Sequence, residues 1–239
     1  MKTTTSVLAV LLLLSSFARS GEDNSLTESD RASGWKLLFD GKTSTGWQSL
    51  GGGPFPEAGW SVKEGALHLE KASKTPDIVT TSKYLNFELR WDWKISPVGN
   101  SGVKYQLPDP TKNIGLEYQI LDDANHPDGV KNGALHQTAG LYDLISPAAE
   151  RKVNPVGEWN SSRIVVDGNH VEHWINGVRT VSYELESPEF RKSIAGSKYK
   201  KIQGFGNKAA SPILLQNHGD EVFFRNIKLR ELPVTKPVH

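Results

Sequence analysis

Residues 87–95 read Phe-Glu-Leu-Arg-Trp-Asp-Trp-Lys-Ile, apolar at every odd position and charged at every even one. A β-strand sends alternate side chains to opposite faces, so this segment has one face to bury and one to hydrate. The apolar face needs a second layer to cover it. The alternation recurs in Val222–Arg230 and in shorter runs bounded by Gly, Pro, Asn and Asp. Strands are expected at Trp35–Phe39, Trp60–Lys63, Ala66–Leu69, Ile78–Thr81, Phe87–Ile95, Gly102–Leu107, Leu116–Leu121, Glu158–Val166, His170–Ile175, Val178–Glu184, Lys201–Gly206, Ile213–Gln216 and Val222–Arg230. No amphipathic helix longer than a turn or two is expected, and residues 187–195 have room for a short one. Asn176-Gly177 between two strand-like runs predicts a hairpin with a type I′ turn. Such a chain is all-β, an antiparallel β-sandwich of the jelly-roll type.

Composition narrows the function classes. The 28 basic and 27 acidic residues are balanced, which excludes a polybasic nucleic-acid binder. The absence of cysteine excludes disulfides, thiolate metal sites and a cysteine nucleophile. Lys2, the apolar run Val7–Leu14 and the small residues Ala18 and Ser20 read as a signal peptide over residues 1–20. The run is too short for a membrane span, which needs about 20 residues. The expected mature chain carries 26 basic and 27 acidic residues and is exported, to the periplasm or beyond. Residues 21–33 are polar and read as a tether or a short helical turn. Residues 34–232 hold one domain, because no composition shift interrupts them, and 233–239 form a tail.

Four segments are candidates for chemistry. In Leu116–Leu121, Glu117 and Gln119 project to one face, and Asp122 and Asp123 follow at the strand end. Sandwich-fold glucanases carry E-x-D-x-x-E on such a strand; here the pattern is E-x-Q-x-x-D. An amide cannot be an ionised nucleophile, so this strand lacks the pair of carboxyls that retaining glycosidases hold about 5 Å apart. The second segment is the Gly-rich stretch 125–143, where His136 and Tyr142 are acid/base or donor candidates in a long loop. In the third, Gln216 and His218 share a face before the Gly219-Asp220 turn. The fourth joins Trp159 and Arg163 with His173-Trp174, aromatic and polar groups of the kind that grip sugars. Each also has an ordinary structural reading, as a solvated strand face, a stiff loop, a hairpin histidine or core tryptophan. The seven His show no metal-ligand spacing. Asp122, Asp123 and Asp128 are oxygen ligands of the type Ca²⁺ takes, at a spacing that matches no known loop. No metal site and no cofactor are expected, although a divalent cation stays open.

Gly34–Lys42 with Gly46-Trp47, Asn100–Tyr105, Gly115–Asp123, Gly157–Asn160, His173–Gly177, and Leu215–Gly219 with Phe224–Ile227 form six ordered blocks. In this order they resemble the 3-keto-disaccharide hydrolase domain family, over about residues 34–232. The resemblance implies a concanavalin A-like, laminarinase-like sandwich and an exported enzyme that cleaves glycosides oxidised to a 3-ketone. A ketone at C3 acidifies the C2 proton, so one base can start an elimination at C1 that water later reverses. On that reading Glu117 or His218 is the base, with His136 a further acid/base candidate. Lys104, Gln119, Gln216 and, more weakly, Arg163 are donors, and Asp122, Tyr142 and Trp159 line the substrate. The expected partner is a carbohydrate, with no nucleic acid and no membrane span after leader removal; the oligomeric state stays open. Two other readings use the same fold: a lectin-like module that binds without cleaving, and a conventional glycosidase, which would need a second carboxylate near Glu117.

Overall fold

A computed structural model describes residues 22–233. The expected leader and most of the expected tail lie outside the described residues. Thirteen strands run in chain order: β1 Lys36–Leu37, β2 Trp47–Ser49, β3 Trp60–Lys63, β4 Ala66–Leu69, β5 Ile78–Thr80, β6 Phe87–Ile95, β7 Asn100–Tyr105, β8 Leu116–Leu121, β9 Asn160–Asp167, β10 His170–Ile175, β11 Val178–Glu184, β12 Leu214–Leu215 and β13 Val222–Glu231. Three short helices accompany them, α1 Glu28–Ala32, α2 Pro127–Asn132 and α3 Pro188–Gly196. Among the described residues no helix is long and apolar enough to cross a membrane.

The strands form two antiparallel sheets. The larger has the order β11-β10-β9-β6-β13-β4-β3, with β1 pairing the far end of β13. The smaller has the order β2-β5-β12-β7-β8. The odd-numbered residues of β6, Phe87, Leu89, Trp91, Trp93 and Ile95, are buried between the sheets. They meet Tyr105 and Tyr118 from the smaller sheet; the Trp91 and Tyr118 rings pack edge-on at 4.9 Å. Such pairs add about 0.5–1.5 kcal/mol beyond area burial. The polar tips in this core find one another. Trp93 Nε1 donates to Ser162 Oγ at 2.8 Å, and Tyr105 Oη bonds His173 Nε2 at 2.7 Å. Full burial pushes the His173 imidazole down to about 3, so it is neutral in the core.

The Asn176-Gly177 hairpin forms between β10 and β11, with Ile175 opposite Val178 and positive φ at both turn residues. Three features differ from the sequence reading. Residues 201–206 are turns, not a strand, and Phe205 stacks on Tyr199 at 4.1 Å. Strand β2 and helix α2 were not expected, since three residues between Gly-rich turns and one turn of helix carry no readable period. The carboxylates on the charged face of β6 are not open to water. Glu88 is buried against Arg90 at 2.7 Å, Arg230 at 2.6 Å and Arg163 at 3.5 Å, while Asp92 is buried on Ser161 and Asn226. Those charged-face carboxylates are satisfied by side chains instead of solvent. The polar N-terminal segment takes the helical-turn form and is docked along β13. Asn24 and Asn226 exchange hydrogen bonds, and Asp30 pairs with Lys228 at 2.9 Å.

Candidate active site

The smaller sheet has one face on the core and one turned outward. Val103, Tyr105, Tyr118, Ile120 and Leu215 belong to the core. By the period of two, Gly102, Lys104, Glu117, Gln119 and Gln216 take the other face. Strand register then sets their neighbours. Lys104 lies opposite Glu117, and Gly102 opposite Gln119. Leu215 pairs with Val103 on one side and Ile78 on the other, so one residue further Gln216 lies between Gly102 and Asp77. The Gln216 N–H donates to Gly102 O at 2.9 Å. Two rows result, Asp77–Gln216–Gly102–Gln119 and Val79–Leu214–Lys104–Glu117. Leu214, Val79 and Leu107 form a small apolar cluster that floors the polar residues on one side.

Glycine at 102 decides how these side chains meet. A Cβ there would stand 2.7 Å from Glu117 Oε1 and 3.3 Å from the Gln216 amide. The gap lets Glu117 lean across the sheet toward Gln216. Its other oxygen pairs with Lys104 Nζ at 3.2 Å, with side-chain exposures of only 5% for Glu117 and 7% for Lys104. With its amide oriented to satisfy both ends, Gln216 donates Nε2 to Glu117 Oε1 at 3.2 Å and accepts from Lys104 Nζ at 3.3 Å. Lys104 also donates to Asn113. A buried ion pair needs such added hydrogen bonds to offset desolvation. Asp77, 7% exposed, accepts from the Asn217 N–H at 2.6 Å. Burial pushes its carboxyl up, as does the nearby Glu117 charge, against the pull of the Asn217 N–H, Lys104 and His218.

The outer edge of β8 is covered by its own loop. Ala139 N donates to Gln119 O at 2.9 Å and Tyr142 N to Glu117 O at 3.0 Å, which seats Tyr142 beside Glu117. The Tyr142 hydroxyl donates to Asp128 Oδ2 at 2.9 Å, and its ring packs 4.3 Å from His136. His136 is held by Asp128 at 2.9 Å and Asp143 at 3.2 Å, one carboxylate on each ring nitrogen. That geometry makes His136 a brace for Tyr142 and Asp128 instead of a free base. Gln119 is likewise engaged with backbone, through Ile120 N and His136 O. His218 is exposed at the rim, its ring 6.4 Å from His126.

The structure therefore brings together Lys104, Glu117, Gln119, Gln216, Tyr142 and His136, with His218 at the rim. It does not bring Asp122, Trp159 or Arg163 there. Asp122 caps the turn before β7, accepting from Val98 N and Asn125 Nδ2, and lines a 280 Å³ cavity with Trp93 and Val156. Trp159 and Arg163 belong to the opposite face of the other sheet. Trp159 is covered by Lys94 and Arg225, and Arg163 by Glu88, Glu172 and the Trp174 ring. The whole sandwich separates them from Glu117, because the side-chain parity of β9 turns Arg163 away from the core. Sequence reasoning missed Asp77, Asn113 and Tyr199. Asp77 was legible in one respect: it sits one residue before the strand at Ile78, in phase with Val79.

Residues 34–230 match the 3-keto-α-glucoside-1,2-lyase-like domain. The chain belongs to this family. A 3-keto-disaccharide hydrolase of Bacteroides thetaiotaomicron is 30% identical, over 90% of this chain and 84% of the relative. Among solved structures, a protein of Parabacteroides distasonis ATCC 8503 assigned to the glycosyl hydrolases superposes with a TM-score of 0.80 and 36% identity, covering 89% of this chain and all of that one. A second from the same organism gives 0.59 at 25% identity, over 78% of this chain and 99% of that one. For this lyase-like family, the matched region contains the whole Lys104–Glu117–Gln216–Asp77 cluster. Among the described residues, no three His, Asp or Glu side chains converge as metal ligands.

Proposed function

We propose that this chain cleaves the glycosidic bond of 3-keto-glycosides, in the manner of its 3-keto-disaccharide hydrolase relative, with Glu117 as the base. The observation that carries the reading is the buried Lys104–Glu117–Gln216 ring beside a second buried carboxyl, Asp77. The Glu117 carboxylate takes the C2 proton, and the C2–H electron pair moves toward the C3 ketone to give an enolate. The enolate collapses, re-forming the ketone and a C1–C2 double bond as the C1–oxygen bond breaks. The leaving oxygen takes a proton from Asp77, whose raised carboxyl suits a donor. Water then adds: Asp77 takes back a proton from it as its hydroxyl bonds to C1, and Glu117, its proton exchanged with solvent, delivers one to C2, which releases the free 3-keto sugar and restores both carboxyls. Lys104 and Gln216 hold Glu117 in place. His218 at the rim is the alternative base.

The titratable groups converge in a covered site and Trp159 lies on the far sheet, which favours catalysis over a lectin-like role. Asp77 supplies a second carboxylate, and this one observation supports a conventional glycosidase as the second reading. Incubation with a 3-keto-glucoside and its unoxidised parent separates the two. We read the chain as exported, on the leader-like pattern of residues 1–20, to the periplasm or the medium.

A further inference from the structure

Enolate formation places a negative charge on the C3 oxygen, and that charge needs a donor which is not already committed. Lys104 is shared among Glu117, Asn113 and Gln216. The Tyr142 hydroxyl is given to Asp128. Tyr199 is different. The residue is 8% exposed, and its hydroxyl makes no hydrogen bond among the described residues and is not sealed from solvent. A hydroxyl that solvent still reaches and that no protein group engages is free to donate to a bound ligand.

Its position is fixed from three sides. Ser197 Oγ accepts from the Tyr199 N–H at 3.0 Å just after α3. Phe205 stacks on the ring, nearly parallel at 9°. The Lys198 N–H donates to Asp143 Oδ2 at 2.9 Å, tying this turn to the loop that seats Tyr142 beside Glu117. The Lys198 ammonium bridges the two phenol rings, 4.2 Å from Tyr142 and 5.2 Å from Tyr199. Burial raises the Tyr199 phenol, and the charges of Glu117, Asp143 and Asp128 raise it further, so it keeps its proton.

We infer that Tyr199 is the catalytic residue that donates its hydroxyl to the C3 ketone oxygen and stabilises the enolate formed by Glu117. This rests on the 3-keto-glycoside reading above. The donor stays a phenol throughout: the proton leaves C2 for Glu117, and the Tyr199 O–H only shortens its bond to the developing oxyanion. A pre-placed donor of this kind contributes when charge develops and little in the ground state.

The test is Tyr199→Phe, assayed on a 3-keto-glucoside by turnover and by exchange of the C2 hydrogen with deuterated solvent. The expected result is a fall in kcat of about 10²–10³-fold, the usual loss of one oxyanion donor, with KM little changed. Exchange at C2 should fall by the same factor. The melting temperature should not move, since the lost hydroxyl has no protein partner. Wild-type kcat and exchange in the variant would overturn the inference, as would a change confined to KM. A clearly lowered melting temperature would show that the hydroxyl is committed to the fold, and would also overturn it. Glu117→Gln run alongside keeps the two claims apart. If that variant is inert while Tyr199→Phe is fully active, only the Tyr199 role fails. If the wild-type protein leaves 3-keto-glucosides intact, the functional reading fails and this inference falls with it.

Discussion

Both sheets of this sandwich bury carboxylates on faces turned away from the core, and they treat them in opposite ways. On the larger sheet Glu88 is surrounded by Arg90, Arg230 and Arg163, and those hydrogen bonds and charges outweigh burial to hold its carboxyl below the usual range. On the smaller sheet Glu117 has one lysine, itself shared with an asparagine and a glutamine. Asp77 beside it accepts a hydrogen bond from the Asn217 N–H, with Lys104 and His218 nearby, and burial drives its carboxyl up. Glu88 is saturated and Asp77 is not. Saturation suits a structural group, because protonation and partner exchange are both disfavoured. A carboxyl with few partners in a covered site is the arrangement general acids and bases require.

The largest expected effect tests the unsaturated side. Glu117→Gln should lower kcat on a 3-keto-glucoside by about 10²–10⁴-fold, the range for loss of a positioned base, with the fold retained. Near-normal turnover in a folded variant would remove Glu117 from that role. The counterpart on the saturated side is Glu88→Gln, which leaves three guanidinium groups around a neutral amide. Breaking a buried pair costs about 3–5 kcal/mol, and partial solvation of the three arginines brings the expected loss toward about 2–3 kcal/mol. Denaturant unfolding measures it, and kcat of the folded variant should be unchanged. If Glu88→Gln abolished turnover without lowering stability, the contrast between the two faces would be wrong.

A third effect belongs to the core between them. His173 is held down to about 3, below its ordinary 6.5. The unfolded chain takes up this proton below pH 6.5 and the folded chain does not until near pH 3. Its contribution to stability is therefore complete above 6.5 and is lost as pH falls through that window. At pH 4.5 the loss is about 2–3 kcal/mol, from two pH units at about 1.4 kcal/mol each. Unfolding free energies at pH 7 and pH 4.5 check it, and His173→Gln should flatten the difference. The smallest effect is Gly102→Ala. The added methyl meets Glu117 Oε1 at 2.7 Å and must push it off Gln216. Activity should fall about tenfold for a displacement near 1 Å or less, with little change in thermal stability. Full activity would show that the Gly102 gap does not position Glu117.

The legible part of the molecule follows from period two. The alternation of Phe87–Ile95 implies two layers, and Asn176-Gly177 marks its hairpin, because both are local signals. Lys104, Glu117, Gln119 and Gln216 could be grouped from face parity within single strands. What was not legible depends on which strands become neighbours. Trp159 and Arg163 look like sugar-binding groups along the chain, but β9 pairs with β6 in the other sheet and turns Arg163 to the far side. Asp77 enters the Gln216 row through strand order, and Tyr199 is tied to the Tyr142 loop through a turn after α3, neither of which leaves a pattern in sequence. Residues 201–206 alternate weakly and still form turns, since Gly204 and Gly206 adopt positive φ and Phe205 is drawn onto Tyr199.

The most direct measurement is product analysis after incubating the wild-type protein with a 3-keto-glucoside and, separately, with the same glucoside unoxidised. Cleavage of the ketone alone, with solvent deuterium at C2 of the released sugar, is the predicted result. Cleavage of the unoxidised glucoside at a comparable rate, or a product without deuterium at C2, would contradict it.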